Sequence, residues 1–347
     1  MRNRLYVVAV TWLCCACAGI LHPAGAAAAD YKQPPGPLAV KSVLYDWKDV
    51  KRDRTVPVKI YYPDAPEGKF PVIVFSHGLG GSREGYSYLG QFWASFGYVC
   101  VHLQHVGSDN SVWQGLAPDE VMPAMRKAAT LPANVLNRPL DVTFAIDQLD
   151  KLNQDDPVFK GRLDLDHLGM AGHSFGAWTT QAIVGEVFIT RKGTPLSLPD
   201  PRVKAAIAMS ESVPKDPKQY VPAFAKITIP MMHMTGTLDD SPIGDSKAAD
   251  RRIPFDHMPT VADQYLVIFQ GGDHMIFSGR PSGKSVLAGP GNRELDPTFH
   301  VLIQQSTLAF WDGYLKSDEG AKKWLRDGAC KTMLGENASL EVKIAKD

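Results

Sequence analysis

The sequence lacks an excess of either charge, because its 37 Lys and Arg residues balance its 37 Asp and Glu residues. Nucleic-acid-binding proteins usually carry a strongly basic surface, so this balance argues against that class of partner. Beyond residue 30 there are also no internal repeats, low-complexity tracts or blocks of like charge. With 44% hydrophobic residues, the composition is that of a folded chain with a large core.

Cysteine is scarce, and three of the five cysteines fall within the first thirty residues. This leader has the order of a secretory signal peptide, in which basic residues precede an apolar run over 5–21 and a small-residue tract over 25–29. The alternative is an uncleaved membrane anchor, since the apolar run is long for a signal core. We predict a signal peptide over 1–29 and an exported mature chain over 30–347, periplasmic or extracellular, with no stable membrane span.

Two cysteines remain after this cleavage, Cys100 and Cys330. An exported chain reaches a compartment that permits disulfides. Cys100 lies in an apolar run and is expected to be buried in a strand. Sequence spacing alone leaves open whether the two thiols pair.

Short β-branched runs alternate with longer helical stretches along the mature chain. The predicted strands are 58–62, 70–75, 98–103, 167–171, 203–209, 227–234 and 264–269. The predicted helices are 86–96, 138–152, 178–187 and 298–315. This alternation predicts βαβ units, and therefore one α/β domain with a mostly parallel central sheet and helices on both faces. The first strand is expected to form an antiparallel hairpin, in which Pro57 suits an edge position.

Three segments richer in Pro, Gly and charge, 107–122, 191–201 and 241–259, are predicted to be loops. Loops that follow the strands of an α/β sheet build its binding pocket. Trp113, Met122, Pro254 and Phe255 in these segments are expected to give that pocket an apolar lining.

The segment Gly172-His-Ser-Phe-Gly176 fits the pattern G-x-S-x-G of a nucleophile elbow. A predicted strand precedes it and a predicted helix follows, which is the context that this motif requires. The sharp turn would expose the Ser174 hydroxyl above the sheet, and the flanking glycines would remove clashing β-carbons. Ser174 is therefore the candidate nucleophile. The alternative is a glycine turn without chemistry.

A serine hydroxyl needs a base to take its proton, and in this arrangement the acid and the histidine follow the serine in the chain. His257, His274 and His300 come late enough. His274 follows a predicted strand by a Gly-Gly-Asp turn, so we select it as the base. The acid is expected in the turn after the preceding strand, where Asp239 is favoured and Asp240 stays open.

Acyl transfer passes through a tetrahedral anion that needs hydrogen-bond donors. One donor is expected to be the N–H group of the residue after the nucleophile, Phe175. The other is expected in the glycine-rich segment that follows the strand over 70–75, with the Leu79 N–H group as the candidate. The alternative for that segment is a plain glycine turn.

With these residues identified, the chain resembles the α/β-hydrolase superfamily, within it the dienelactone-hydrolase-like group that includes plasma-type platelet-activating-factor acetylhydrolases. The likeness lies in Phe75-Ser-His-Gly-Leu-Gly80 and in the elbow. The segments 104–109 and 138–141 also look familiar from bacterial members, without an assigned chemistry. The resemblance implies an α/β-hydrolase fold with Ser174 as nucleophile, His274 as base and Asp239 as acid. Dienelactone hydrolases themselves use a cysteine nucleophile, so lactone chemistry does not carry over.

The sequence thus predicts an exported serine esterase that cleaves carboxylic esters through an acyl-enzyme. It predicts no cofactor and no metal, and a small-molecule or lipid-like ester as substrate. One alternative uses the same triad for acyl transfer or amide cleavage. Another, from a different class, is a non-catalytic binding protein on a hydrolase scaffold.

Overall fold

The computed structural model describes residues 31–190, 192–279, 287 and 289–345 of the chain. The predicted signal peptide over 1–29 lies outside the described residues. Within the described ranges, no helix combines the length and the apolar character needed to cross a bilayer.

The strands and helices are numbered in chain order. The strands are β1 (Val40–Asp49), β2 (Arg54–Pro63), β3 (Phe70–Ser76), β4 (Val99–Leu103), β5 (Leu163–His173), β6 (Phe188–Ile189), β7 (Pro195–Leu196), β8 (Val203–Met209), β9 (Met231–Leu238), β10 (Gln264–Asp273) and β11 (Ala338–Lys343). The helices are α1 (Ser87–Ser95), α2 (Pro118–Thr130), α3 (Pro132–Asp155), α4 (Phe175–Val184), α5 (Tyr220–Phe224), α6 (Ile253–His257), α7 (Asp296–Leu315), α8 (Glu319–Arg326) and α9 (Ala329–Leu334).

Nine of these strands form one sheet in the order β1-β2-β4-β3-β5-β8-β9-β10-β11. The strands from β4 to β10 in this order run parallel, while β1, β2 and β11 add antiparallel pairs at the two ends. The carboxyl ends of the parallel strands therefore meet at one edge of the sheet. The predicted α/β class and the α/β-hydrolase fold implied by the resemblance are confirmed.

Side chains alternate along each central strand and face two separate cores. In β3, Ile73 and Phe75 pack in the core that contains the buried residues of α1 and α7. Val72 and Val74 pack on the opposite face with the buried residues of α3, α4 and α5. The continuous apolar run of β3 follows from this double burial, since both faces of the strand are covered by helices.

Strand β2 does not lie at the edge of the sheet, so the edge position expected from Pro57 is wrong. β1 is the edge strand, and β2 lies between β1 and β4. The Pro57 carbonyl accepts the N–H group of Gln104, which comes directly after β4, and the ladder between β2 and β4 begins only at Val58. The missing N–H group of Pro57 thus faces the end of β4 and removes no ladder hydrogen bond.

Two of the predicted loops contain helices. The segment 107–122 ends in the first turn of α2, where Pro118 occupies the first position and Glu120 accepts the Ala117 N–H group at 3.0 Å. Proline at this position favours a helix start, because its missing N–H group has no intrahelical acceptor there. The segment 241–259 likewise contains α6.

The remaining cysteines do not form a bridge. Cys100 in β4 and Cys330 in α9 are both buried free thiols. Burial raises the pKa of both thiols, and that of Cys330 reaches about 12. Both side chains therefore serve as small apolar groups of the core.

The turn from β5 into α4 depends on close backbone approach. Ser174 has φ 57° and ψ −115°, an uncommon conformation for a residue with a side chain. A β-carbon at Gly172 would collide with the carbonyl of Gly176, and one at Gly176 would collide with the carbonyl of Ser76 at the end of β3. Both glycines are thus required by space, and the turn lies directly against β3.

His102 is a buried neutral group of the sheet. Its ring lies 5.0 Å from the rings of Phe75 and Tyr61, and its Nδ1 atom donates to the Gly85 carbonyl at 3.1 Å. Burial and the positive charge of Lys59 lower the pKa of His102 to about 4. Since an unfolded histidine has a pKa of about 6.5, only the unfolded chain takes up this proton between those two values. The resulting stability is complete above pH 6.5 and is lost as the pH falls toward 4.

We therefore expect His102→Gln to flatten the pH dependence of stability. Urea unfolding of wild type and variant between pH 7.5 and pH 5 gives the free energy of unfolding at each pH. Below pH 6 the slope of the free energy of unfolding against pH should be smaller in the variant by about 1 kcal/mol per pH unit. The reason is that the unfolded variant no longer takes up a proton at this position. An unchanged slope contradicts a neutral buried imidazole at this position.

A second substitution tests the contact between the elbow and β3. Gly176→Ala forces the new methyl group against the Ser76 carbonyl and should lower the free energy of unfolding by roughly 3 kcal/mol or more. The matched control is Gly85→Ala, because the nearest atom to its new β-carbon is the Ser82 carbonyl oxygen at 3.4 Å. The control should change stability by about 1 kcal/mol or less. Equal urea midpoints for both variants would contradict the close approach.

Candidate active site

The three residues predicted as a triad follow the carboxyl ends of parallel strands of one sheet. Ser174 follows β5, Asp239 follows β9 and His274 follows β10. The structure brings them together, although 100 residues separate the serine from the histidine. The Nδ1 atom of His274 lies 2.7 Å from Oδ1 of Asp239, and its Nε2 atom lies 2.8 Å from Oγ of Ser174. With Nδ1–H donating to the carboxylate, Nε2 is free to accept the serine proton.

The elbow presents the serine hydroxyl and fixes its backbone at the same time. The Ser174 N–H group donates to the Met209 carbonyl at the end of β8, at 2.9 Å. Phe175 is the first residue of α4, so its N–H group has no acceptor within the helix. The amino end of α4 also carries a partial positive charge. This end of the helix can therefore stabilise an anion beside Ser174.

Asp239 is a buried carboxylate held from several sides. Thr235 donates its hydroxyl to Oδ2 at 2.8 Å, and the Arg251 guanidinium lies 3.5 Å from Oδ1. Burial opposes ionisation, but the adjacent His274, which donates a hydrogen bond, and the charge of Arg251 outweigh it, so the pKa of Asp239 lies below its usual range. Asp239 is thus an acceptor that stays ionised.

The side chain of Asp240 lies in a different environment from that of Asp239. Its side chain is exposed and pairs with Lys247 at 2.9 Å, and it also accepts the Ala248 N–H group at 3.0 Å. The structure places Asp239, and not Asp240, against the imidazole of His274. The direction in which each side chain leaves the turn therefore determines which aspartate contacts the imidazole.

His173, directly before the serine, connects the elbow to two neighbouring segments. Its Nε2–H group donates to the His274 carbonyl at 2.8 Å, and its Nδ1 atom accepts the Tyr86 hydroxyl at 2.7 Å. Tyr86 in turn accepts the Gly78 N–H group at 3.2 Å. Burial and the nearby His274 hold the pKa of His173 well below its usual range, so the ring is neutral. The sequence analysis missed both His173 and Tyr86, and only the position of His173 inside the motif could have pointed to it.

The segment after β3 orients the Leu79 N–H group. The His77 Nε2 atom accepts the His105 N–H group at 3.1 Å, so its Nδ1 atom carries the proton and donates to the Gly78 carbonyl at 2.6 Å. The same carbonyl accepts the Gly81 N–H group at 3.0 Å. Because a trans peptide points its carbonyl and N–H groups in opposite directions, these bonds turn the Leu79 N–H group away from the loop interior. Leu79 lines the two clefts that open at Ser174.

A fully buried arginine lies under this segment. Arg138 donates to the hydroxyls of Thr179, Ser108 and Ser76 at 2.8–2.9 Å and also to the His77 carbonyl. Its guanidinium stacks 4.5 Å from the centre of the Phe175 ring, which orients the first residue of α4. One side chain thus contacts both segments that carry the predicted oxyanion donors.

The two sequence segments that had no assigned chemistry meet in this network. His105 donates from Nδ1 to Asp141 at 3.0 Å and accepts the Ser76 hydroxyl on Nε2 at 2.9 Å. Burial and the charge of Arg138 lower the pKa of His105 to about 4, so it is neutral. Arg54 holds the far side of the Asp141 carboxylate at 2.8 Å. Segments 104–109 and 138–141 therefore form a polar support for the loop, and no local pattern in the sequence reveals it.

Two clefts meet at Ser174. One has a volume of about 780 Å³ and lies against Phe175 and Trp178. The other contains His274 together with Trp113, as expected for Trp113. Met122, Pro254 and Phe255 line neither cleft, so their expected role is wrong. Pro254 and Phe255 are buried, and Phe255 packs against His233 and Lys343.

Comparison with known proteins adds a family likeness to this geometry. A sequence model of the family described as platelet-activating factor acetylhydrolase, isoform II, matches residues 47–120. A protein named platelet-activating factor acetylhydrolase from Cavia porcellus is 24% identical over 309 residues, which cover 81% of this chain. Proteins of the same name from Canis lupus familiaris and Bos taurus are 30% and 28% identical over 158 and 145 residues, which cover 38% and 34% of this chain.

The matches cover 66%, 36% and 32% of the lengths of these three relatives. The chain thus spans less than two thirds of the length of each of these three relatives. All three relatives are named as acetylhydrolases, so the kinship to hydrolases that the sequence indicates is confirmed. The chain has an α/β-hydrolase fold and resembles the platelet-activating factor acetylhydrolases.

Proposed function

We propose that the chain is a serine hydrolase that cleaves carboxylic esters through an acyl-enzyme. The observation that carries this proposal is the unbroken line of hydrogen bonds from Asp239 through His274 to Ser174, at 2.7 and 2.8 Å. A nucleophile that lies within hydrogen-bond reach of a base, itself oriented by a third group, is the arrangement that activates a serine.

The first half of the reaction forms the acyl-enzyme. The Oγ atom of Ser174 attacks the ester carbonyl carbon while the Nε2 atom of His274 takes its proton. Asp239 stabilises the imidazolium that results. The C–O bond to the alcohol then breaks, and the Nε2–H group gives its proton to the leaving oxygen. A water molecule repeats the sequence on the acyl-enzyme and releases the carboxylic acid.

The carbonyl oxygen becomes an anion in each tetrahedral intermediate. We assign the N–H groups of Leu79 and Phe175 as its donors. Support comes from the hydrogen bonds that orient the peptide before Leu79 and from the position of Phe175 at the first turn of α4. Each such donor contributes about 3–4 kcal/mol to the stabilisation of the transition state.

Substrate class and location belong to the same proposal. The names of the relatives support a lipid ester as the substrate class. The order of basic, apolar and small residues over 1–29 supports export and removal of a signal peptide, with one domain over 30–347 as the mature protein.

Replacing the nucleophile is the direct test. Ser174→Ala should lower kcat/KM for p-nitrophenyl butyrate by about 10⁵-fold or more, since the variant lacks the hydroxyl that lies against Nε2 of His274. In parallel, a fluorophosphonate probe should label the wild-type protein at Ser174, as read by peptide mass spectrometry. Retained turnover in the purified variant, or a wild-type protein that takes no label, contradicts the proposal and favours a binding protein on the same scaffold.

The two neighbouring aspartates provide a matched pair. Asp239→Asn should lower kcat by about 10⁴-fold, because the amide no longer favours the imidazole tautomer and the imidazolium that the reaction needs. Asp240→Asn removes the same charge one residue later, from a surface ion pair, and should leave kcat within about twofold. Steady-state kinetics of both variants decide the acid, and a larger loss in Asp240→Asn overturns the assignment.

A further inference from the structure

The larger cleft at Ser174 has walls from several parts of the fold. They include the loop after β3, the end of α2, the start of α3, the start of α4, the β6–β7 hairpin and the segments after β8 and β9. The apolar lining includes Val135, Leu136, Phe175, Trp178, Phe188 and Ile189. Leu136 and Ile189 are 39% and 47% exposed, and the Phe188 ring packs against Trp178 at a tilt of 44°, with ring centres 4.8 Å apart. Exposed apolar side chains gathered around a nucleophile indicate a site for an apolar ligand.

Charge is sparse in this cleft. Among the described residues that line it there is no carboxylate, and the cations are Lys192 and Arg251. The Arg251 guanidinium is buried and already donates to the carbonyls of Asp239 and Glu211. Lys192 lies on the exposed hairpin. The inner part of the cleft therefore suits an uncharged chain and not an ionic headgroup.

The position of His274 decides which part of an ester occupies each cleft. The alcohol oxygen has to receive its proton from His274, so the alcohol extends past that imidazole. His274 lines the second cleft and not the first, whereas Ser174 and Leu79 line both. The acyl group leaves the tetrahedral carbon in another direction from the alcohol. It is therefore directed into the first cleft, beside Phe175.

We infer that the first cleft is an acyl site and that the preferred esters carry an aliphatic acyl chain longer than acetyl. This inference rests on the proposed function. The volume of about 780 Å³ far exceeds the need of an acetyl group, because one water molecule, close to a methyl group in size, takes about 30 Å³. An acetyl group, which is the acyl group in the names of the relatives, would leave this apolar surface uncovered if it were bound here.

A series of p-nitrophenyl esters measures the acyl site alone, because the leaving group stays constant. Burial of each added methylene is worth up to about fourfold in kcat/KM, which corresponds to about 0.8 kcal/mol. Since part of the cleft wall stays open to solvent, we expect about twofold per methylene. Octanoate, with six more methylenes than acetate, should then exceed acetate by about 50-fold or more at concentrations below micelle formation.

Two leucines on α3 provide the matched variants. Leu136 lines the cleft, whereas Leu140, one turn later and 38% exposed, does not. Leu136→Trp should lower the octanoate-to-acetate ratio of kcat/KM at least tenfold, because the larger side chain fills part of the cleft that a long acyl chain would occupy. Leu140→Trp should keep the wild-type ratio. Ile189→Trp narrows the same cleft from the hairpin and replaces Leu136→Trp if that variant does not fold.

A second series, butyrate esters of methanol, butanol and octanol, varies the alcohol and should be unaffected by Leu136→Trp. A wild-type protein that prefers acetate to octanoate overturns the inference, as does a Leu136→Trp variant that changes the alcohol series and not the acyl series. In both cases, labelling of Ser174 by fluorophosphonate and inactivity of Ser174→Ala leave the proposed hydrolase intact. Absence of label and of all ester turnover overturns the hydrolase itself.

Discussion

The contact between the β5–α4 turn and the end of β3 is the constraint on which the site depends. Gly176 leaves no room for a side chain against the Ser76 carbonyl, so the turn is pressed onto the strand. This contact places the serine after β5 beside the loop that follows β3. Since the Met209 carbonyl at the end of β8 accepts the Ser174 N–H group on the other side, the backbone of Ser174 is held between the two neighbouring strands.

A series of buried polar groups lies beneath the site, at the same contact between the β5–α4 turn and the end of β3. The Ser76 hydroxyl accepts from Arg138 and donates to His105, which donates to Asp141. The direction of each hydrogen bond in this series is fixed, because the guanidinium can only donate and the carboxylate can only accept. The buried Asp141 carboxylate is paired directly with Arg52 and Arg54. Two neutral side chains connect it to the buried guanidinium of Arg138. These contacts reduce the cost of burying the charges.

Local patterns in the sequence were sufficient for the fold class and for the positions of Ser174 and His274. Each follows a recognisable strand by a glycine turn, and parallel strands bring such turns to one edge. The choice between Asp239 and Asp240 needed the structure, since it depends on Arg251 and Lys247, which approach from the next segment. A periodic sequence pattern cannot distinguish between two adjacent residues in a turn.

Contacts between distant segments lay beyond the sequence patterns. Arg138 contacts Ser76 across 62 residues, and Tyr86 contacts His173 across 87, without any spacing rule that relates them. The strands β1 and β11 were missed for a different reason. Both lie at the ends of the sheet with many half-exposed positions, so they lack the continuous apolar run that marks a central strand.

The meeting of two clefts at one hydroxyl has a consequence for the order of events in the proposed reaction. When the alcohol departs, it vacates the side of the serine on which the imidazole lies, while the acyl group still fills the other side. Incoming solvent then has an entrance that leads past the base before it reaches the bound carbonyl. Water for deacylation would therefore enter through one cleft while the acyl product leaves through the other. A long acyl chain need not leave its cleft before water can enter.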